Sequence, residues 1–204
     1  RPKSSAASDV YKRQAINPKF TVAIGLEAYD DEVLRFHVNK GFTTKSWDRA
    51  IANLNKFDLR IKTYLMFKPP FMNEADALDH CISWIESVAE HSDEISVNPM
   101  NIQRGTVIDR LHRHNEYRPP WLWSLVDMIQ RAHPLIHPEN GVNGDPDQVS
   151  RLIVHPTAGG KIRGSHNCGS CDAEVVAAIE RYAVSGSLLE FEGLECTCRK
   201  VWQE

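Results

Sequence analysis

No apolar run in this 204-residue chain approaches the roughly 20 residues that a membrane-crossing helix needs. Surplus charge is missing too: 24 Lys and Arg stand against 27 Asp and Glu, a net charge of −3. Bulk charge therefore gives no reason to expect nucleic-acid binding, and any such contact must come from a local patch. Cysteine is scarce, with five in all, and no secretory signal pattern accompanies them. A reducing, cytoplasmic setting is the expectation, in which cysteines serve metals or reactivity rather than disulfides. The phosphate-loop spacing is absent, because Pro156-Thr157-Ala158-Gly159-Gly160-Lys161 has glycines but not the Walker interval. Residues 1–14, RPKSSAASDVYKRQ, have no amphipathic period, and Asp9–Gln14 looks like translated sequencing adaptor. That segment is expected to be non-native, and the rest to be a fragment whose natural sequence starts near Ala15.

What is present is organised around Phe20–Gly41. Phe20–Leu26 is a short apolar run with β-branched residues, which suits a buried strand. Glu27 is its first charge. Asp30-Asp31-Glu32 follows where a helix would begin, at the positive end of the helix dipole, and Val33, Leu34 and Val38 recur at helical spacing. Strand, carboxylate, helix is the reading, and in α/β barrels that end of a strand is where active sites are built.

The same unit recurs. Thr43 or Thr44 can cap a helix with Trp47, Ala50, Ile51 and Leu54 on its apolar stripe. Asp58–Phe67 reads as a second strand, stopped by Lys68-Pro69-Pro70-Phe71. A helix over Glu74–Ala89 follows, with Cys81 on its buried face as a small hydrophobe. Glu94–Pro99 is a third strand. Three strand–helix periods argue for a parallel sheet with crossover helices. Arg110–Trp123, RLHRHNEYRPPWLW, is basic and aromatic. Such a segment either holds a splayed nucleotide by charge and stacking or is a solvated turn with core tryptophans, and Trp121–Ala132 continues it as a helix. His133–Asp147, rich in Pro, Gly, Asn and Asp, marks a loop or boundary. A last strand, Arg151–Val154, precedes glycines that would let backbone approach a ligand.

The strongest chemical signal lies near the end, where Cys168-x2-Cys171 and Cys196-x-Cys198 bracket a helix from Asp172 to Tyr182. Four thiolates at this spacing can close a tetrahedral zinc site, with an iron–sulfur cluster as the main competing reading and a redox pair or inert thiols as the others. His166 is an alternative ligand or a hydrogen-bond donor to a sulfur. The tail is too small to hold a core of its own, so a metal would staple it.

Several blocks together resemble the radical SAM subunit of archaeosine synthase, an archaeal tRNA-modifying family related to the Elongator-type radical SAM group. They are Ile24–Glu27, Val38–Thr43, Lys62–Phe71, Ser96–Pro99, Gln103–Thr106, Tyr117–Trp123, Pro156–Lys161 with Arg163-Gly164, and His166–Cys168. The resemblance implies an α/β fold: the C-terminal half of a partial (β/α)6 radical SAM barrel over 15–147, then a cysteine-rich metal-binding tail over 148–204. It implies S-adenosylmethionine (SAM) and a [4Fe-4S] cluster as cofactors. It also implies breakage of a C–N bond in a lysine adduct of 7-deazaguanine in tRNA to give archaeosine, and a transglycosylase-like partner subunit that makes the adduct. The family's C-x3-C-x2-C cluster motif is absent here, so the chain is expected to be inactive alone.

By the same resemblance Glu27, Lys62, Lys68, Asn98 and Gln103 are candidates for contact with SAM or substrate. Arg104, Arg110, Arg113, Arg118 and Trp121 are candidates for tRNA, and Cys168, Cys171, Cys196 and Cys198 for zinc. Two other readings stand beside it. One is a Schiff-base aldolase with Lys62 as nucleophile, which needs a lysine whose pKa burial has lowered. The other is a zinc module that binds RNA without catalysis.

Overall fold

The computed structural model describes residues 20–57, 59–137 and 150–204. The segment 1–14 and the boundary at 147 lie outside the described residues. Four strands, β1 (Thr21–Glu27), β2 (Arg60–Phe67), β3 (Glu94–Pro99) and β4 (Arg151–Val154), form one sheet in the order β1-β2-β3-β4. Every pairing is parallel, with Thr21 opposite Arg60, Lys62 opposite Glu94 and Glu94 opposite Arg151. Parallel neighbours need crossovers, which are supplied by α1 (Thr44–Leu54), α2 (Glu74–Ala89) and the pair α3 (Val107–Arg113) and α4 (Leu122–Ile136). After β4 come α5 (Asp172–Ser185), a 3₁₀ turn at Leu188–Phe191 and α6 (Cys198–Gln203). No described helix is long and apolar enough to cross a membrane.

The period-2 pattern of β2 divides the sheet into two faces. Ile61, Leu65 and Phe67 are buried in the core with the helices, while Lys62, Tyr64 and Met66 between them stay half exposed on the other face. Asn98 is opposite Met66, which puts it on that second face with Lys62. β1 departs from the sequence expectation of a fully buried strand. Among the described strands it pairs with β2 alone, and its Thr21 and Ala23 are exposed. An apolar, β-branched run marks strand propensity, not whether a second neighbour is present.

The helix expected after β1 is a π-helical turn, Val33–Val38, begun by Asp30. The Asp30 carboxylate accepts the amides of Glu32 (2.8 Å) and Val33 (3.0 Å), and Asn39 ends the turn in the left-handed region. The segment stays at the carboxyl edge of the sheet, because His37 Nδ1 lies 2.6 Å from the Pro70 carbonyl and Lys40 pairs with Glu27.

One apolar cluster fills the helix-covered face. It runs from Leu26 and Leu34 through Trp84, Ile85, Trp123 and Met128 to Val175, Ile179, Phe191, Leu194 and Cys198. The cysteine-rich tail thus shares the core of the sheet and does not build its own. A satellite cluster of Ile102, Ile108 and Tyr117 sits under α3. α3 runs from the polar residues after β3 into the first four residues of the basic and aromatic segment Arg110–Trp123, where no helix was expected.

Candidate functional site

Two places carry chemistry: the carboxyl edge of the sheet, and the thiol group where α5 and α6 meet the start of α4. At the edge, Glu27 and Lys68 close β1 and β2, and both adopt positive φ (75° and 56°). Phe71 does the same at 65°, with its ring exposed. Left-handed backbone is costly for side-chain-bearing residues and persists where the surroundings enforce it.

Glu27 is fixed by Lys40 at 3.1 Å, and both side chains remain partly accessible. Lys68 is buried. Its ammonium reaches Glu74 Oε2 (2.6 Å) and the Arg118 carbonyl (2.9 Å) and lies over the Tyr117 ring, while Tyr117 Oη donates to the Lys68 carbonyl (2.9 Å). Glu74 is the hub. Its Oε1 accepts the Trp121 amide (2.8 Å) and the Ser124 hydroxyl (2.5 Å), and Ser124 Oγ accepts Trp202 Nε1 (2.8 Å). A carboxylate thus sits at the positive end of α4 and ties the end of β2 to the last helix.

Lys62 lies well before the edge, opposite the first residue of β3, and is ion-paired to Glu94. Burial works against its charge, but the hydrogen bond and charge of Glu94, aided by Tyr64, outweigh it and raise the pKa. That is the opposite of what an amine nucleophile needs.

Gln103 is exposed and donates to Asn101 Oδ1 (2.5 Å). Arg104 and Arg110 are also exposed. Arg113 is bound to Asp109 (3.1 Å), which also takes Arg163 (2.7 Å) and the Gly105 amide (3.0 Å). These donors hold Asp109 at a pKa of about 2: the Gly105 amide first, then Arg163 and Arg113 against an opposing effect of burial. Arg118 stacks on Trp121 at 3.8 Å and donates to the carbonyls of Pro119 (2.9 Å) and His166 (2.7 Å). Burial lowers its pKa, with the charges of Glu74, Asp172 and Cys198 acting the other way. Of the five residues read as nucleic-acid candidates, Arg113, Arg118 and Trp121 are occupied within the fold, and Arg104 and Arg110 face solvent.

The glycines before the thiol group do not open space for a ligand. A Cβ on Gly164 would lie 2.2 Å from the Ala158 carbonyl oxygen, and one on Gly159 would lie 2.8 Å from Val176 Cγ2. They let the 156–165 loop fold onto itself and onto α5, which corrects the ligand-approach reading.

The four cysteines converge. Their Sγ atoms all lie within 4.8 Å of one another, with Cys168–Cys196 and Cys171–Cys198 each at 3.7 Å. A metal–thiolate bond of about 2.3 Å puts tetrahedral sulfurs about 3.8 Å apart, so the spacing fits one ion. A [4Fe-4S] cube would need its thiolates spread around a core of iron and sulfide. His166 stays outside the group, its Nδ1 2.8 Å from the Gly164 carbonyl.

Asp172 caps the knuckle, accepting the amides of Asn167 and Gly169 at 3.1 Å each. The amides of Ser170 and Cys171 hold the Cys168 thiol down to about 6, whereas burial pushes Cys171 up to about 12 and Cys198 upward. A bound cation would supply the charge that lets the inner pair ionise. Cys81, the fifth cysteine, is buried in α2 as expected. Sequence reasoning missed Glu74 and Asp109, which look like ordinary first-turn acids, because their partners are set by tertiary contacts.

Sheet and thiol group together define an α/β protein with a parallel sheet and a tetra-cysteine, metal-competent tail. Over 188 residues the chain is 33% identical to archaeosine synthase subunit beta of Methanosarcina acetivorans, covering 92% of this chain and 51% of that protein. To the subunit of the same name from Thermococcus kodakarensis it is 34% identical over 188 residues, 90% of this chain and 54% of that protein. Elp3 of the archaeon Methanocaldococcus infernus, with its N-terminus deleted, shares the fold. The TM-score is 0.60 at 14% identity, over 93% of this chain and 40% of that one. No family model matches the chain. The resemblance read from the sequence blocks is borne out over most of the chain, which spans about half the length of the curated relatives it matches.

Proposed function

We propose that this chain is the sheet-edge and metal-tail part of a radical SAM enzyme of tRNA modification that forms archaeosine together with a transglycosylase-like partner subunit. The similarity to archaeosine synthase subunit beta along nine-tenths of the chain carries the reading. SAM, with its [4Fe-4S] cluster, would supply radical chemistry. The five cysteines here do not fit that cluster, since four converge on a single-ion site and Cys81 is buried in α2. The cluster's ligands must come from elsewhere in the protein, and the chain by itself should not cleave SAM.

This chain's residues would bind and orient. Glu27, partly accessible at a strained strand end, and Asn98, on the half-exposed face of the sheet, are the polar groups best placed to meet SAM or the substrate lysine. Lys62 shares that face but is committed to Glu94, and Gln103 lies beyond it in the turn before α3. Lys68 acts through the loop it anchors. Arg104 and Arg110 offer phosphate contacts, each adding salt-dependent affinity. The thiol group takes one zinc ion as a structural site, closed by four protein ligands.

The test uses the full-length protein, anaerobically reconstituted, with SAM, a reductant and tRNA bearing the lysine-adducted 7-deazaguanine. Mass spectrometry should find 5′-deoxyadenosine and archaeosine, and Glu27→Gln should reduce both. A full-length protein that loads its cluster and forms neither product would overturn the proposal. The aldolase reading gains nothing from Lys62, whose pKa is raised.

A further inference from the structure

The two buried thiols of the metal group each face a side-chain N–H from outside the cysteine motif. Trp123 Nε1 lies 3.3 Å from Cys198 Sγ, and Asn167 Nδ2 lies 3.4 Å from Cys171 Sγ. Both donors are buried, Trp123 at 1% and Asn167 at 5% exposure. The Asn167 amide is committed at both ends, since its Oδ1 accepts the Trp123 backbone amide at 3.2 Å. That amide is one of the first-turn N–H groups of α4, which have no partner inside the helix.

The Asn167 backbone is held as well: its N–H donates to Asp172 Oδ1 (3.1 Å) and its carbonyl faces Arg118. Asn167 therefore cannot rotate its donor away from sulfur without stranding a buried helix amide. The Arg199 guanidinium lies over the Trp123 ring at 5.1 Å, so a cation closes the same side.

We propose that Trp123 and Asn167 are positioning residues of the metal centre. Through N–H···S bonds to Cys198 and Cys171 they orient the inner thiolates, spread their charge, and lock the ion onto the amino end of α4. The inference rests on the reading of the four cysteines as a single-ion site. It gives the Arg118–Trp123 and His166–Cys171 blocks one shared task, although they lie more than forty residues apart. Outer donors of this kind orient ligands and tune the metal, and their loss commonly lowers affinity about 10–100-fold. Removing an N–H···S bond also raises the energy of the sulfur lone pairs, which moves thiolate-to-metal charge transfer to lower energy.

Cobalt(II) serves as the probe, titrated into the reduced 204-residue chain and then competed with zinc, for the parent, Trp123→Phe, Asn167→Asp and the exposed-site control Lys45→Ala. Trp123→Phe keeps the ring and deletes only the donor. Asn167→Asp keeps the acceptor for the Trp123 amide and puts an oxygen beside the Cys171 sulfur. We expect one cobalt per parent chain, affinity at least about tenfold weaker in both variants, and a red-shifted charge-transfer band. The control should match the parent.

Should Asn167→Asp fail to fold by circular dichroism, Trp123→Phe decides alone. A parent that binds one ion while Trp123→Phe binds equally well, with its band unmoved, removes this inference and leaves the metal reading intact. A parent that takes up no ion removes both.

Discussion

A buried carboxylate costs stability unless its charge is matched, and Asp109, in the first turn of α3, is matched three ways. The Gly105 amide, Arg163 and Arg113 surround it and tie α3 to the 156–165 loop. With its pKa held at about 2, below the usual carboxylate value near 4, ionised Asp109 contributes fully above roughly pH 4. That contribution is lost as the pH falls from there toward 2. Asp109→Asn should therefore lower the urea midpoint at pH 7, and the gap to the parent should narrow between about pH 4 and pH 2. A gap of constant size across that range would mean that the charge of Asp109 is not what holds α3. Glu74 likewise has its charge matched at the start of α4, where its carboxylate meets Lys68, a helix amide and Ser124 at once. Neither acid announces itself in sequence, because a first-turn Asp or Glu is usual for dipole reasons alone.

Elements were legible in proportion to how local their causes are. The apolar stripe bounded α2, and the β-branched run bounded β3, at the residues observed. α4 runs past Pro134 to Ile136, beyond the expected stop at Ala132. A proline lacking its amide is tolerated there because the helix is packed from Leu122 to Ile136 along one buried face. α3 was missed because a seven-residue helix places only Ile108 and Leu111 at helical spacing, one turn being too short a period to read. The thiol group was readable from cysteine spacing, but its N–H donors were not, since they are brought to it by the packing of α4 against α5. The 156–165 loop gives the sharpest test at this scale. Its glycines read as letting backbone approach a ligand, whereas Gly164 is a contact point against the Ala158 backbone. Gly164→Ala should cost about 1–3 kcal/mol, as overpacking does, in a denaturant titration. Gly41→Ala, where a Cβ meets nothing within 4 Å, is the control and should stay near the parent.

Across the whole molecule, the tail divides into a part that packs by itself and a part that does not. α5 puts Val175, Ala178, Ile179 and Tyr182 into the common core, and apolar burial of about 25 cal/mol per Å² holds it whether or not a metal is bound. Beyond it the elements are short, four residues at Leu188–Phe191 and six at α6, too short to be helices on their own account. They are held by Phe191, Leu194, Trp202 and the thiols. Metal removal should therefore act locally. With the ion chelated under reducing conditions, hydrogen exchange should rise over 191–204 and at the first turn of α4. There the Trp202–Ser124 and Trp123–Cys198 contacts would be lost. β2, β3 and α5 should keep their protection. Unchanged exchange in the tail would show that the four cysteines are not a structural centre. Loss of protection throughout the sheet would show instead that the ion holds the whole core, and that α5 does not stand on its own packing.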